Sequence, residues 1–152
     1  MEISVSLPLD EGFLRRECPS CERQFKWFNG DTDNKPEDAE AVERYYCPYC
    51  GEPAAPDSWW TPEQLEYVQK IGLNAVTRRV RDELGDSMRA LEKTGLLSVS
   101  LEGGDASDPA PISEPQDMVM VEPPCHYYEP IKIAEDWTEP VHCIVCGRAY
   151  VI

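Results

Sequence analysis

Seven cysteines and two histidines carry most of the chemistry available to this 152-residue chain. Cys18-Pro19-Ser20-Cys21 and Cys47-Pro48-Tyr49-Cys50-Gly51 are two Cys-x-x-Cys pairs. A two-residue gap lets the backbone turn tightly enough for both sulfurs of a pair to face one ion. Two such pairs make the four-sulfur tetrahedron that zinc prefers. Gly51 suits the positive φ that ends such a turn. The 25 residues between Cys21 and Cys47 slightly exceed the usual spacing of such sites. The acidic stretch from Asp31 to Glu40 accounts for the excess as an insertion between strands.

A redox reading competes. Cys47-Pro48-Tyr49-Cys50 by itself resembles the glutaredoxin active site, but that chemistry needs a low-pKa thiol at a helix N-terminus. Here Gly51-Glu52-Pro53-Ala54-Ala55-Pro56 follows and starts no helix. Cys18 and Cys21 would also be left without a role.

A second set lies near the C-terminus. Cys143-Ile144-Val145-Cys146-Gly147 is a complete metal knuckle, and Cys125-His126 stands 16 residues before it. A regular knuckle would place a ligand at residue 128, which is Tyr128. The fourth ligand is therefore expected to be His126, with His142 or a water as alternatives. A Cys125 that is merely buried is the competing reading. Two zinc ions are expected in all, the first on Cys18, Cys21, Cys47 and Cys50, the second on Cys125, His126, Cys143 and Cys146.

An odd number of cysteines argues against a framework of paired disulfides. The first ten residues lack the basic and apolar regions of a secretory leader. The longest aliphatic run, Met118 to Val121, is far short of the ~20 residues of a membrane span. The expectation is a cytoplasmic chain without a membrane association. Acidic residues outnumber basic ones 29 to 14, for a net charge of −15. That field repels phosphate backbones, so direct nucleic-acid binding is disfavoured. Arg15, Arg16, Arg23 and Lys26 form a local basic cluster with acids around it.

The elements that must position these ligands follow from pattern. Ile3, Val5 and Leu7 alternate with polar residues, as a half-buried strand does. Asn29-Gly30 is a hairpin-turn signal after Phe25, Trp27 and Phe28. Thr61-Pro62-Glu63-Gln64 reads as a capped helix start. From there Leu65, Val68, Gly72, Val76, Val80, Leu84, Met88 and Leu91 recur every three or four residues, one face of a helix to Lys93. Gly85 leaves a break into two helices open, and Gly95 fits a C-terminal cap. Trp59 and Trp60 are expected to staple this helix to the first ribbon. Leu97 to Leu101 alternates like a strand, and the Pro- and acid-rich stretch 103–117 reads as a linker. Short strands are expected at 118–121, 131–133, 141–143 and 149–152. The order of apolar lead-in, Cys pair, Trp-containing loop, second lead-in and Cys-x-x-Cys-Gly occurs in 13–51. It recurs, with Cys-His as the first pair, in 118–147, a weak internal repeat.

These features resemble the zinc-ribbon class over roughly 13–57 and 118–150. The whole chain is also similar to small uncharacterised bacterial proteins, chiefly actinobacterial. These carry an N-terminal Cys-Pro-x-Cys and Cys-Pro-Tyr-Cys-Gly ribbon and a C-terminal Pro-Cys-His and His-Cys-x-x-Cys-Gly ribbon. Pro124-Cys125-His126 and Val141-His142-Cys143 match that picture. The resemblance implies zinc and a fold, and brings no activity with it.

The expected fold is small α+β and metal-stabilised: two zinc-ribbon β-units connected by a long amphipathic helix. The linear division is an N-terminal ribbon at 1–60, the helix at 61–95, a strand and acidic linker at 96–117, and a C-terminal ribbon at 118–152. No nucleophile elbow, phosphate loop or His–Cys catalytic set stands out, so no enzyme is expected. The helix stripe Val76, Val80, Leu84, Met88 and Leu91 is the candidate surface for a protein partner or self-association. The alternative is a transcription- or nucleic-acid-associated regulator that acts through a protein partner or as an acidic mimic of DNA.

Overall fold

In Gln24–Phe28 and Ile131–Ala134, aromatic and β-branched residues flank a lysine, the alternation that suits a strand with two different faces. Phe13–Glu17 (β1) and Gln24–Phe28 (β2) pair antiparallel, with Leu14 opposite Trp27 and Arg15 opposite Lys26. The first Cys-x-x-Cys turn is itself the connection between them. Asn29-Gly30, expected as the hairpin turn, follows β2 instead, and the Asn29 N–H donates to the Gly12 carbonyl at 2.9 Å. The Cys-x-x-Cys turn already reverses the chain at 18–23, so no second reversal is needed there.

The computed structural model describes residues 5–92 and 108–152, with side chains in the helix only as far as Ser87. The strand expected at 97–101 lies outside the described residues, as do residues 1–4. Of the strand expected at 3–7, Val5 to Leu7 are irregular.

Next come Tyr45–Tyr46 (β3) and Pro53–Ala54 (β4), a small hairpin around the second knuckle. The helix Pro62–Glu92 (α1) then runs 31 residues through Gly72 and Gly85 without a break, ~46 Å at ~1.5 Å per residue. Met118–Val121 (β5) and Ile131–Ala134 (β6) pair antiparallel, and Val141–His142 (β7) with Ala149–Tyr150 (β8) forms another knuckle hairpin. The β2 strand also pairs with β6, Trp27 opposite Ile131 and Lys26 opposite Lys132, which closes a four-stranded sheet in the order β1-β2-β6-β5. Leu7–Pro62 and Ile112–Ile152 thus make up one compact unit, and the helical segment from Glu63 belongs to another. The N-terminal and C-terminal cysteine-bearing segments share a sheet, a joint arrangement that the linear division of the chain does not display.

Strand alternation sorts the sheet into two faces. One carries Leu14, Phe25, Trp27, Ile131 and Ile133 and builds the core with Trp59, Tyr49, Val141, Ile144 and the sulfurs of Cys18 and Cys47. Trp59 is fully buried there, edge-on to Phe25 at 5.8 Å, and its carbonyl accepts the Glu17 N–H. Arg16 lies on this same face, with its guanidinium 4.9 Å from the rings of both Trp27 and Trp60. Burial lowers its pKa to about 10, so it stays cationic at neutral pH. The Tyr49 hydroxyl donates to the Gln24 carbonyl at 2.7 Å and accepts the Ala134 N–H at 3.0 Å. It bridges β2 and β6 beyond the end of their direct pairing.

The other face holds a row of cations. Arg15, Lys26 and Lys132 stand side by side on β1, β2 and β6. Carboxylates meet them: Asp10 accepts from Lys26 at 2.8 Å and from Lys132 at 3.0 Å, Glu114 pairs with Arg15 at 2.9 Å and Lys26 at 3.0 Å, and Asp117 pairs with Arg15 at 2.7 Å. Residues 112–117, read from composition as part of a linker, are thus fixed onto the sheet. Composition marks them as polar and Pro-rich but cannot register a buried lysine waiting for their charges.

Candidate metal centres

Three turns share one hydrogen-bond pattern. Cys18, Cys47 and Cys143 each accept the N–H of the residue four positions on, from Glu22, Gly51 and Gly147, and each donates its own N–H to the carbonyl five positions on. Gly51 and Gly147 both have φ of 76°, and Glu22 stands at 61° in the matching place. The knuckle geometry is therefore imposed even where the sequence lacks glycine, which is why this turn is invisible to a search for Cys-x-x-Cys-Gly. Within the knuckles, the N–H groups of Ser20 and Cys21 point at the Cys18 sulfur and those of Tyr49 and Cys50 at the Cys47 sulfur, all at 3.3 to 3.4 Å. Such outer donors orient ligands and favour thiolate charge.

The turns bring Cys18, Cys21, Cys47 and Cys50 together, and likewise Cys125, His126, Cys143 and Cys146, each set with its four donor atoms within 4.8 Å of one another. Sγ–Sγ separations are 3.7 Å for Cys18–Cys50 and for Cys21–Cys47, and 3.5 Å for Cys125–Cys146. A tetrahedron with metal–sulfur bonds of ~2.3 Å has an edge of ~3.8 Å. His126 presents Nδ1 to the Cys143 sulfur at 3.4 Å, against ~3.5 Å for a mixed sulfur–nitrogen edge. Both sets are thus geometrically able to bind a metal ion. None of the seven cysteines is in a disulfide. Burial pushes the Cys143 thiol up to about 12 and the Cys47 thiol in the same direction. A cation among the sulfurs reverses that balance and holds them as thiolates.

His142, the alternative fourth ligand, is engaged elsewhere. Its Nδ1 lies 3.2 Å from the Pro48 carbonyl, and its ring covers Gly51 of the first group's knuckle. Tyr46 does the same in reverse over Gly147. The backbone repeats the exchange, His142 N–H to Pro48 O and Tyr46 N–H to Ile144 O, both at 2.9 Å. The internal repeat in the sequence is thus realised as two knuckles docked reciprocally on each other. Nothing in the Cys spacing signals this. The aromatic residue just before each knuckle, Tyr46 and His142, is the signal that could have.

This docking makes the two glycines sensitive. A Cβ on Gly147 would stand 2.8 Å from the Tyr46 ring, and one on Gly51 3.0 Å from His142. Both positions also require positive φ, which costs a residue with a Cβ ~1–2 kcal/mol. Gly147→Ala is expected to lower the unfolding midpoint more than Gly51→Ala, and both more than Gly30→Ala, which shares the positive φ (105°) but whose added Cβ meets no neighbour. Thermal melts of the metal-loaded variants check the order.

No family model, curated protein or solved structure matches this chain. The reading of the centres therefore stands on their geometry. Among the described residues, no helix is long and apolar enough to cross a membrane.

Proposed function

We propose that this protein is a non-enzymatic interaction module whose fold is scaffolded by two structural zinc ions. The observation that carries the reading is closure. Each donor set supplies four protein ligands, whereas a catalytic zinc keeps a position for water. Sulfur-rich tetrahedral sets suit zinc, and Cys18, Cys21, Cys47 and Cys50 leave no open position for substrate. The row Arg15, Lys26 and Lys132 is neutralised by the chain's own Asp10, Glu114 and Asp117, which supports a protein rather than a nucleic-acid partner.

The interaction surface in this reading is α1. Leu73, Val76, Val80 and Leu84 are 45 to 66% exposed at helical spacing, and Met88 and Leu91 continue the stripe in sequence. The segment 61–95 has six acidic and six basic residues, so it is neutral on a strongly acidic chain. A second copy of the same helix face is its natural complement, because like-charge repulsion is absent there. Zinc content and oligomeric mass from native mass spectrometry test both halves of the proposal. Two zinc ions per chain and a dimer are expected. Val80→Glu with Leu84→Glu should return a monomer that keeps both metals. A chain purified without transition metal, or a dimer indifferent to both substitutions, would contradict it.

A further inference from the structure

A cavity of about 240 Å³ opens where the two ribbon segments meet, lined by Trp27, Tyr45, Ile144, Lys35, Asp31 and Glu129 among others. The N-terminal segment supplies its aromatic wall: the Trp27 and Tyr45 rings lie 4.7 Å apart with their planes at 43°. The C-terminal segment supplies Ile144 and Glu129. The Thr32 hydroxyl, which donates to the Tyr128 carbonyl at 2.7 Å, ties the Asp31 loop to the residue before Glu129. Its lining is more polar than apolar, unlike the mostly apolar walls of a typical small-molecule site, so charge rather than apolar burial must select what it holds. This one is smaller than the ~300–1,000 Å³ that houses a drug-sized ligand, and suits a group the size of a side chain.

Its charges select the ligand. Lys35 and Asp31 are paired at 2.9 Å and neutralise each other. Glu129 is half-buried, and its carboxylate makes no hydrogen bond or ion pair among the described residues. Burial holds that carboxyl above its ordinary range, with Lys35 opposing. The cavity therefore carries one uncompensated negative charge, beside π faces that attract cations. Trp27 already accepts one guanidinium, that of Arg16, at 4.9 Å. The net charge of −15 raises the local concentration of any cation further.

We propose that this cavity binds an alkylammonium or guanidinium group, carried either by a free amine or by a lysine or arginine side chain of a peptide. The cation pairs with Glu129 while its alkyl chain lies against Trp27 and Tyr45. The site is separate from the α1 stripe, and it rests on the knuckles that carry Tyr45 and Ile144 being folded.

The test titrates the full, metal-loaded chain with butylammonium, butylguanidinium and butyrate. Readouts are tryptophan emission and the amide shifts of Asp31, Lys35 and Glu129. Saturable shifts with both cations and none with butyrate are expected. Glu129→Gln should weaken cation binding by about tenfold or more, the loss of one partner of a partly desolvated charge pair. Its melting temperature should not fall, because the substitution removes an unpaired half-buried charge. Lys35→Met should tighten binding by removing the competing cation. Capped peptides with one lysine, one arginine or one norleucine separate the two sources. Tighter binding of the charged peptides than of the free amines assigns a peptide, and equal binding assigns a small amine. Preference for butyrate, or cation affinity unchanged in Glu129→Gln at full metal content, would overturn the proposal.

Discussion

Cys47→Ser is expected to collapse the whole sheet-bearing unit and release metal from both centres, not from the first alone. Cys47 is fully buried, its sulfur takes the N–H groups of Tyr49 and Cys50, and it lies 3.7 Å from Cys21. Structural zinc contributes ~10–16 kcal/mol of apparent binding free energy in small metal domains. Whole domains are stable by only ~5–15 kcal/mol. Losing one centre therefore removes an amount comparable to the entire stability. The reciprocal docking of Tyr46 on Gly147 and His142 on Gly51, with the β2–β6 pairing, transmits the loss to Cys125, His126, Cys143 and Cys146. Metal stoichiometry should fall by two rather than one, and the near-UV signal of Trp27, Trp59 and Trp137 should disappear. Far-UV helicity should persist in part, since α1 belongs to the other compact unit and its 31 residues are long enough for marginal helix in isolation. A Cys47→Ser chain that keeps one metal and its near-UV signal would show the two centres to be independent.

Lys26→Met is expected to be the next most damaging change. Lys26 has no exposed side-chain surface and meets Asp10, Glu114 and Asp117 within 3.2 Å, and its ammonium also donates to the Pro115 carbonyl. Removing it leaves carboxylates facing one another in a buried site, which typically costs ~3–5 kcal/mol. The Asp10 carboxyl is held below its ordinary 3.8 by the Lys26 hydrogen bond, against burial and with help from Lys132. That stabilisation is complete above 3.8 and is lost as pH falls through the lower folded value. Burial alone would depress the Lys26 ammonium, but its bonds to Asp10, Glu114 and Asp117 outweigh burial and hold it above 10.5. Its contribution is complete below 10.5 and is lost as pH rises through the folded value. Urea titrations at neutral pH should show the full deficit of Lys26→Met, and the wild-type advantage should shrink at both extremes. A variant as stable as the parent at neutral pH would mean that the network contributes nothing net.

How far the sequence could be read depends on the range of the force involved. Metal ligation is local and stringent: two sulfurs separated by two residues can face one ion in few ways, so the spacing of Cys18, Cys21, Cys47, Cys50, Cys143 and Cys146 was enough to group them. The choice of His126 over His142 was a closer matter. The structure brings His126 to the second group and places His142 against Pro48 and Gly51 instead. The strands expected at 118–121 and 131–133 are present, the second extended by one residue to Ala134, and α1 starts at Pro62 where the capping signal placed it.

What only the tertiary structure decided was the set of contacts between residues far apart in the chain. The pairing of β2 with β6, the exchange of Tyr46 and His142 between knuckles, and the seating of Glu114 and Asp117 on Arg15 and Lys26 all join segments separated by more than 80 residues. Single-chain periodicity carries no term for such partners. A lysine such as Lys26 reads as solvent-exposed until the carboxylates that neutralise it arrive. Glu22 reads as an ordinary residue until the first metal knuckle holds it at a φ of 61°. The two donor groups were therefore legible in the amino-acid order, because each knuckle is built by neighbours. The single sheet that joins the two metal centres was not, because desolvation and charge pairing are settled only once the whole unit closes.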